Sequence, residues 1–332
     1  MINNPEKGYT MNIVVIGLGS MGKRRIRLLR EMVPEHVICG VDSRSDRRKE
    51  AEDAFHIRCC ATIDEASVDT ECAFVCTSPV SHAAIITECL DKGWNVFTEL
   101  NLVDDGYDHN IALARQKGCT LFLSSTFLYR EETKYIRSRM DDCLKWNYIY
   151  HIGQYLPDWH PWENYKNFFV GDKRTNGCRE ILAIELPWLV SAFGEIEDIH
   201  VASDRMTRLE IGYDDNYMIQ LHHKNGNKGC LVVDVVSPCA VRKLEAYAEG
   251  RYLSWGGTPD SLAEYDSSTG AIRRVILEEE AEHKEGYRAF IVENAYRNEI
   301  REFFDVVSGK KKPVYGFEND RRILEWITSM GA

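Results

Sequence analysis

The segment "MNIVVIGLGSMG" at positions 11–22 limits what this chain can fold into more than any other. Residues 11–16 are a continuous apolar run, as expected of a parallel strand covered on both faces. Gly17, Gly19 and Gly22 then set a G-x-G-x-x-G spacing before a helical stretch that runs to about residue 32. The first glycine permits a tight turn, the second lets the backbone approach a diphosphate, and the third lets helix and strand pack closely. Leu18, Ser20 and Met21 complete the turn, and backbone N–H groups at the helix start face the phosphates.

Asp42 follows at the end of a second apolar segment, "HVICGVD" (36–42). An acid at that place accepts the hydroxyls of an adenosine ribose, which favours NAD as the cofactor. Ser43 and Arg44 come next, and Arg44 with Arg47 keeps NADP open, because a guanidinium pairs with a 2′-phosphate. Strands at 72–78, 95–100 and 120–125 alternate with helices over 81–92 and 106–117. That alternation predicts right-handed βαβ units and an α/β Rossmann fold, a doubly wound parallel sheet. "CTSPVSH" (76–82) ends a strand in small residues, so Thr77, Ser78, Pro79 and His82 belong at the carboxyl edge where a nicotinamide ribose lies. The competing readings are a helix cap at Ser78 or Ser81 and a surface role for His82.

After about residue 128 the pattern changes. A helix over 178–193 is followed by paired alternating segments around "KNGNK", Gly250–Arg251 and "DSSTG", and then by helices over about 287–308 and 317–329. Turn residues between alternating segments are hairpin signals, which predicts an α+β domain with a large open antiparallel sheet. The expected division is a flexible extension over 1–10, a dinucleotide-binding domain over 11–128 and a substrate and oligomerisation domain over 129–332.

Charge and cysteine content narrow the function. A net charge of -11 argues against nucleic-acid or anionic-membrane partners. The basic run "KRRIRLLR" (23–30) reads as the exposed side of the first helix. The 11 cysteines show no paired C-x-x-C clusters, so neither a metal site nor a disulfide framework is expected. Scattered thiols, with no apolar leader and no membrane-length run, point to a cytoplasmic protein.

"GLGSMG", Asp42, "TSPVSH", "FTELN", "LEAYAEGRYLSW" and the closing segment 295–327 together resemble the glucose–fructose oxidoreductase / inositol dehydrogenase (Gfo/Idh/MocA) family over nearly the whole chain. The resemblance implies an NAD(P) enzyme acting on a carbohydrate-like molecule, and a homo-oligomer formed through the open sheet. It also implies where this sequence departs from the pattern. The family's Glu-Lys-Pro is matched by Glu99, Leu100 and Asn101, without the lysine. Aligned on Gly194, Glu180 takes the place of a family aspartate and Ile184 that of the catalytic histidine. Glu99 and Asn101 are still expected beside the nicotinamide.

Other residues must then carry acid–base chemistry. Glu185 falls in the middle of the apolar arc of "REILAIELPWLVSAFG", where a desolvated carboxylate is a catalytic candidate or a structural anchor, and Pro187 is expected to disturb that helix. "YLPDWHPWENY" (155–165) suits a sugar, with Trp159, Trp162 and Tyr165 as stacking faces and His160 as base, or it is an aromatic packing loop. Tyr129 and Arg179 are further substrate candidates. The leading expectation is an oxidoreductase with non-standard acid–base residues. The rival is a non-catalytic dinucleotide and sugar-binding sensor or accessory protein.

Overall fold

The computed structural model describes residues 10–66, 68–140, 143–159, 163–277, 282 and 291–332. The expected extension over 1–10, except its last residue, lies outside these, as do His160 and Trp162. The chain forms two compact units, Met1–Ser125 with Tyr296–Arg321, and Thr126–Ala295 with Arg322–Ala332. The return of Tyr296–Arg321 to the first unit differs from the simple division at residue 128.

The first unit contains β1 (Asn12–Ile16), α1 (Ser20–Met32), β2 (Val37–Val41), α2 (Ser45–Phe55), β3 (Arg58–Cys60), β4 (Thr70–Val75), α3 (His82–Asp91), β5 (Asn95–Thr98), α4 (Tyr107–Lys117) and β6 (Leu121–Leu123). Its six strands are all parallel, in the order β3-β2-β1-β4-β5-β6. Strand order reverses between β1 and β4, and the carboxyl ends of that pair form the crevice where such sheets bind ligands. The sequence did not announce α2 and β3: in α2 only Ala51 is buried, too little for an apolar stripe.

The second unit contains α5 (Glu131–Arg139), β7 (Asn147–Gly153), α6 (Gly177–Phe193), β8 (Ile196–Asp204), β9 (Asn216–His223), β10 (Lys228–Asp234), β11 (Val241–Ala248), β12 (Arg251–Trp255), β13 (Ala263–Asp266) and β14 (Ala271–Arg274). The eight strands run β14-β13-β12-β11-β7-β10-β9-β8. All neighbours are antiparallel except β7 and β10, which pair parallel at the centre. The hairpins stand where turn chemistry placed them, with Gly226 and Gly250 at positive φ. Tyr148 and Tyr150 point inward, where Tyr148 stacks on Phe193 of α6 at 4.2 Å and Tyr150 meets Trp188 edge-on at 5.5 Å. Ile149, between them, faces outward and is half exposed, as period two requires. α6 continues through Pro187 as one helix.

Two last helices follow, α7 (Glu293–Val307) and α8 (Phe317–Ser329). Phe74, Phe97 and Phe122 stand directly opposite one another on β4, β5 and β6. Their rings stack at 4.8 and 5.2 Å. Phe303 of α7 meets all three edge-on, at 5.2 to 5.8 Å. The closing segment is therefore part of the first unit's core. Phe303→Ala should lower stability by about 3–5 kcal/mol, since both transfer and cavity terms are lost; thermal unfolding with and without the substitution measures it.

Candidate cofactor and catalytic site

The glycine turn is built as a phosphate cradle. Gly17 has φ +91°, and a Cβ there would lie 2.8 Å from the carbonyl carbon of Cys76. At Gly22 a Cβ would stand 1.8 Å from the carbonyl oxygen of Gly17, so helix and turn touch through backbone alone. At Gly19 the same construction meets only Arg47 Nη1, at 3.7 Å, which leaves the space in front of the helix open. Gly19, the N-cap of α1, has no side chain to cap the helix, so among the described residues its first N–H groups suit an anion.

Asp42 is buried at the end of β2. Its Oδ2 accepts from the Leu18 N–H at 2.8 Å and its Oδ1 from the Arg44 N–H at 2.9 Å. The carboxylate thus fixes the turn and the β2 loop together while keeping lone pairs for a ribose. Arg47 Nη1 lies 3.7 Å from Asp42 Oδ2. The Arg44 side chain folds onto Asp46, and Arg48 donates to the carbonyls of Asp42 and Ser43. Neither Ser78 nor Ser81 caps its helix by a side-chain bond; the Ser81 hydroxyl lies 2.8 Å from that of Thr77.

Three expectations for this unit change. "KRRIRLLR" is not an exposed face: Arg24 and Arg25 are buried. Arg25 shares a helix face with Gly22 and Leu29, a spacing that pointed inward. Its Nε donates to Glu99 at 2.6 Å and its Nη2 to Glu299 of α7 at 2.6 Å, so Glu99 is tied to the core. His82 is not a surface histidine; it and Asn101 are both buried and bonded to each other.

In the second unit, Glu185 takes the structural reading. Its Oε2 accepts from Tyr150 at 2.7 Å and Trp188 Nε1 at 2.6 Å, and its Oε1 from Arg242 Nε at 3.1 Å and Nη2 at 2.6 Å. Four donors occupy a fully buried carboxylate, which corrects its assignment as the acid–base group. Arg179 donates to the carbonyl of Ala332 at 2.6 Å and lies 3.3 Å from Thr328 Oγ1, so it serves the chain's own last turn instead of a substrate anion. Tyr129 is buried.

Glu180 is different. It sits in the first turn of α6, and its Oε2 is enclosed with no hydrogen-bond partner among the described residues. The residue as a whole reaches solvent in part, but the enclosed oxygen sets its proton affinity, and burial pushes the carboxyl up to about 7. Trp159 is partly buried beside the start of the same helix: its ring would lie 3.4 Å from a Cβ on Gly177. Its Nε1 donates to the Gln154 carbonyl at 3.0 Å, and the Tyr165 hydroxyl accepts from the Glu210 N–H at 3.2 Å.

Residues 11–125 match the family model described as an oxidoreductase family with an NAD-binding Rossmann fold. These residues are thus similar to the Gfo/Idh/MocA oxidoreductases. Human biliverdin reductase A is 25% identical over 293 residues, covering 83% of this chain and 86% of that protein. Among solved structures, levoglucosan dehydrogenase in complex with NADH aligns with a TM-score of 0.78 at 13% identity, covering 97% of this chain and 96% of that one. UDP-N-acetylglucosamine 3-dehydrogenase from Acidithiobacillus ferrooxidans aligns with a TM-score of 0.74 at 14% identity, covering 97% of each. At such identities the likeness is one of fold. A Rossmann unit of this family binds NAD, and the open space at Gly19, the uncapped helix and Asp42 fit that cofactor.

Two substitutions separate the site from the scaffold. Gly22→Ala should weaken NAD binding by about tenfold or more, equivalent to 1.4 kcal/mol, because the new methyl displaces the turn; calorimetric titration of the folded variant reads it. Glu185→Ala should cost about 3–5 kcal/mol by leaving the largely enclosed Arg242 guanidinium without its carboxylate. Denaturant unfolding checks that value.

Proposed function

We propose that this chain oxidises a hydroxyl of a carbohydrate-like substrate (a sugar, cyclitol or nucleotide sugar), with Glu180 as the acid–base group. Bound NAD supplies the hydride acceptor. The protein must supply a group that takes the hydroxyl proton, and such a group works best with a pKa near the operating pH. The observation that carries the reading is the unpartnered, enclosed Oε2 of Glu180, raised to about 7. Trp159, beside the same helix start, offers a flat apolar surface of the kind that stacks on a sugar face. UDP-N-acetylglucosamine 3-dehydrogenase, similar in fold, is named for a nucleotide sugar.

A second reading comes from the curated relative. The 25% identity to human biliverdin reductase A spans most of both chains, which favours testing hydride delivery to a conjugated bilin as well.

The experiment is one panel: purified chain, NAD(P) in both redox states, and sugars, cyclitols, nucleotide sugars and biliverdin, followed at the nicotinamide absorbance. Glu180→Gln should lower turnover of a sugar substrate by about 10²–10⁴ without loss of cofactor affinity. Oxidation needs the ionised carboxylate, so its rate should rise with pH through about 7 and lose that limb in Glu180→Gln. Stability moves the other way. A carboxyl raised from 4.5 to about 7 keeps its proton longer in the folded state. Its contribution is complete below the unfolded value and is lost as pH rises through the folded one. Cofactor bound without turnover of any compound would leave the sensor reading standing.

A further inference from the structure

One buried chain of polar groups in the first unit is used by neither the cradle nor Glu180. His82 Nε2 lies 3.0 Å from the carbonyl oxygen of Thr77, and Nδ1 lies 2.5 Å from one end of the Asn101 amide. The other end of that amide is 2.9 Å from the Tyr107 hydroxyl, which is 2.5 Å from Oδ2 of Asp320 in the first turn of α8. The Tyr315 hydroxyl donates to Oδ1 of Asp320 at 2.7 Å. All four linking side chains are buried, Asp320 completely.

The hydrogens in this chain can be counted without knowing which way the Asn101 amide is turned. The Thr77 carbonyl only accepts, so Nε2 of His82 carries a hydrogen. With the amide oxygen toward His82, Nδ1 must carry one as well, and the ring is an imidazolium. Tyr107 then donates to an ionised Asp320. With the amide nitrogen toward His82, Nδ1 is bare and the amide oxygen faces Tyr107. Tyr107 gives its single hydrogen to that oxygen, so its contact with Asp320 requires a hydrogen on the carboxyl. Each arrangement pairs every group, as buried polar groups demand. Each also holds one proton more than a neutral histidine with an ionised aspartate.

We propose that His82, Asn101, Tyr107 and Asp320 form a buried one-proton switch whose two settings differ by reversal of the Asn101 amide. In passing from one to the other, a proton leaves Oδ2 of Asp320, a proton arrives at Nδ1 of His82, and the amide turns over. The net charge does not change. The switch decides whether a positive charge stands behind the Thr77–Ser78 loop at the carboxyl end of β4.

The surrounding groups set its bias. Burial lowers the proton affinity of His82, against the field of Glu99, which tips the switch toward the acid form of Asp320. Asp104 bears on Tyr107, and Asp105 lines the same small cleft as His82 and Tyr107. The Arg321 guanidinium lies 5.9 Å from the Tyr107 ring centre and is paired with Asp108 at 2.6 Å. The Thr98 hydroxyl, 3.3 Å from His82 Nδ1, accepts where Nδ1 carries a hydrogen and donates where it is bare, which leaves the count unchanged.

The test uses the cofactor-free chain at neutral pH. Nitrogen NMR of histidine-labelled protein, assigned with His82→Gln, reads the ring. Infrared spectra of protein carrying carbon-13 aspartate, compared with Asp320→Asn, read the carboxyl. The expected result is a neutral His82 with its hydrogen on Nε2, together with a protonated-carboxyl band that Asp320→Asn abolishes. An imidazolium at His82 without that band is the other setting and supports the count equally. Tyr107→Phe removes the hydroxyl that forces the extra proton, so whichever signature the native chain shows should disappear there. Neither signature in the native chain, both at once, or persistence in Tyr107→Phe overturns the proposal; the native-chain readings decide it even if one variant does not fold.

Discussion

A single guanidinium without solvent contact ties several elements of the first unit to one another. Burial alone would lower the proton affinity of Arg25, but the carboxylates of Glu99 and Glu299 outweigh that effect and raise it above its ordinary value. The same site carries two acids for one base, and burial raises the carboxyl of Glu299 against the pull of Arg25. The ring of Phe97 lies under the guanidinium at 4.5 Å, and the Glu299 carboxylate also accepts from Ser124 Oγ at 2.9 Å and the Ser125 N–H at 2.7 Å. Helix α1, the end of β5, the end of β6 and helix α7 therefore meet at one charge. Taking away Arg25 leaves Glu99 and Glu299 together without a balancing charge, which is why such sites tolerate little change.

That charge links the closing segment of the chain to the cradle at its beginning. Gly22 and Arg25 lie on the same face of α1, one against the glycine turn and the other against α7. The position of the phosphate-facing helix end is thus fixed from two sides, by backbone contact at Gly17 and by ion pairing at Glu299. A cofactor seat pre-formed in this way spends little of its binding free energy on ordering the turn.

Much of this was legible in the residues. Glycine spacing, Asp42 and strand–helix alternation located the Rossmann unit, because each is a local requirement of turn geometry or a period along one strand. Hairpin signals located most of the open sheet for the same reason. What stayed hidden was either long-range or weakly patterned. β8 has a single buried residue, Ile196, at its start, so no alternation marks it. The parallel pairing of β7 with β10 depends on strands about eighty residues apart, beyond any turn signal. The partners of Arg25, His82 and Tyr107 lie up to 274 positions away, and nothing near them in sequence names Glu299 or Asp320. Arg25 itself was misread because a run of basic residues suggests a solvated face, although its spacing from Gly22 and Leu29 placed it inward.

The two glutamates of α6 show how environment, and not residue type, assigns chemistry. Glu185 was a candidate by its place in an apolar arc, and Glu180 because the family resemblance sets it where an aspartate is expected. Glu185 meets Tyr150, Trp188 and Arg242, whose donors fill its oxygens and whose charge balances its own. Five residues earlier on the same helix, Glu180 finds enclosure without a donor at Oε2. A carboxylate whose oxygens are filled by donors is held in place, which makes it a structural anchor. One that is enclosed and unpartnered keeps its proton near neutral pH and can exchange it with a bound hydroxyl. On the function proposed above, that difference between two carboxyls of one helix is what makes Glu180, and not Glu185, the group to test as acid–base partner.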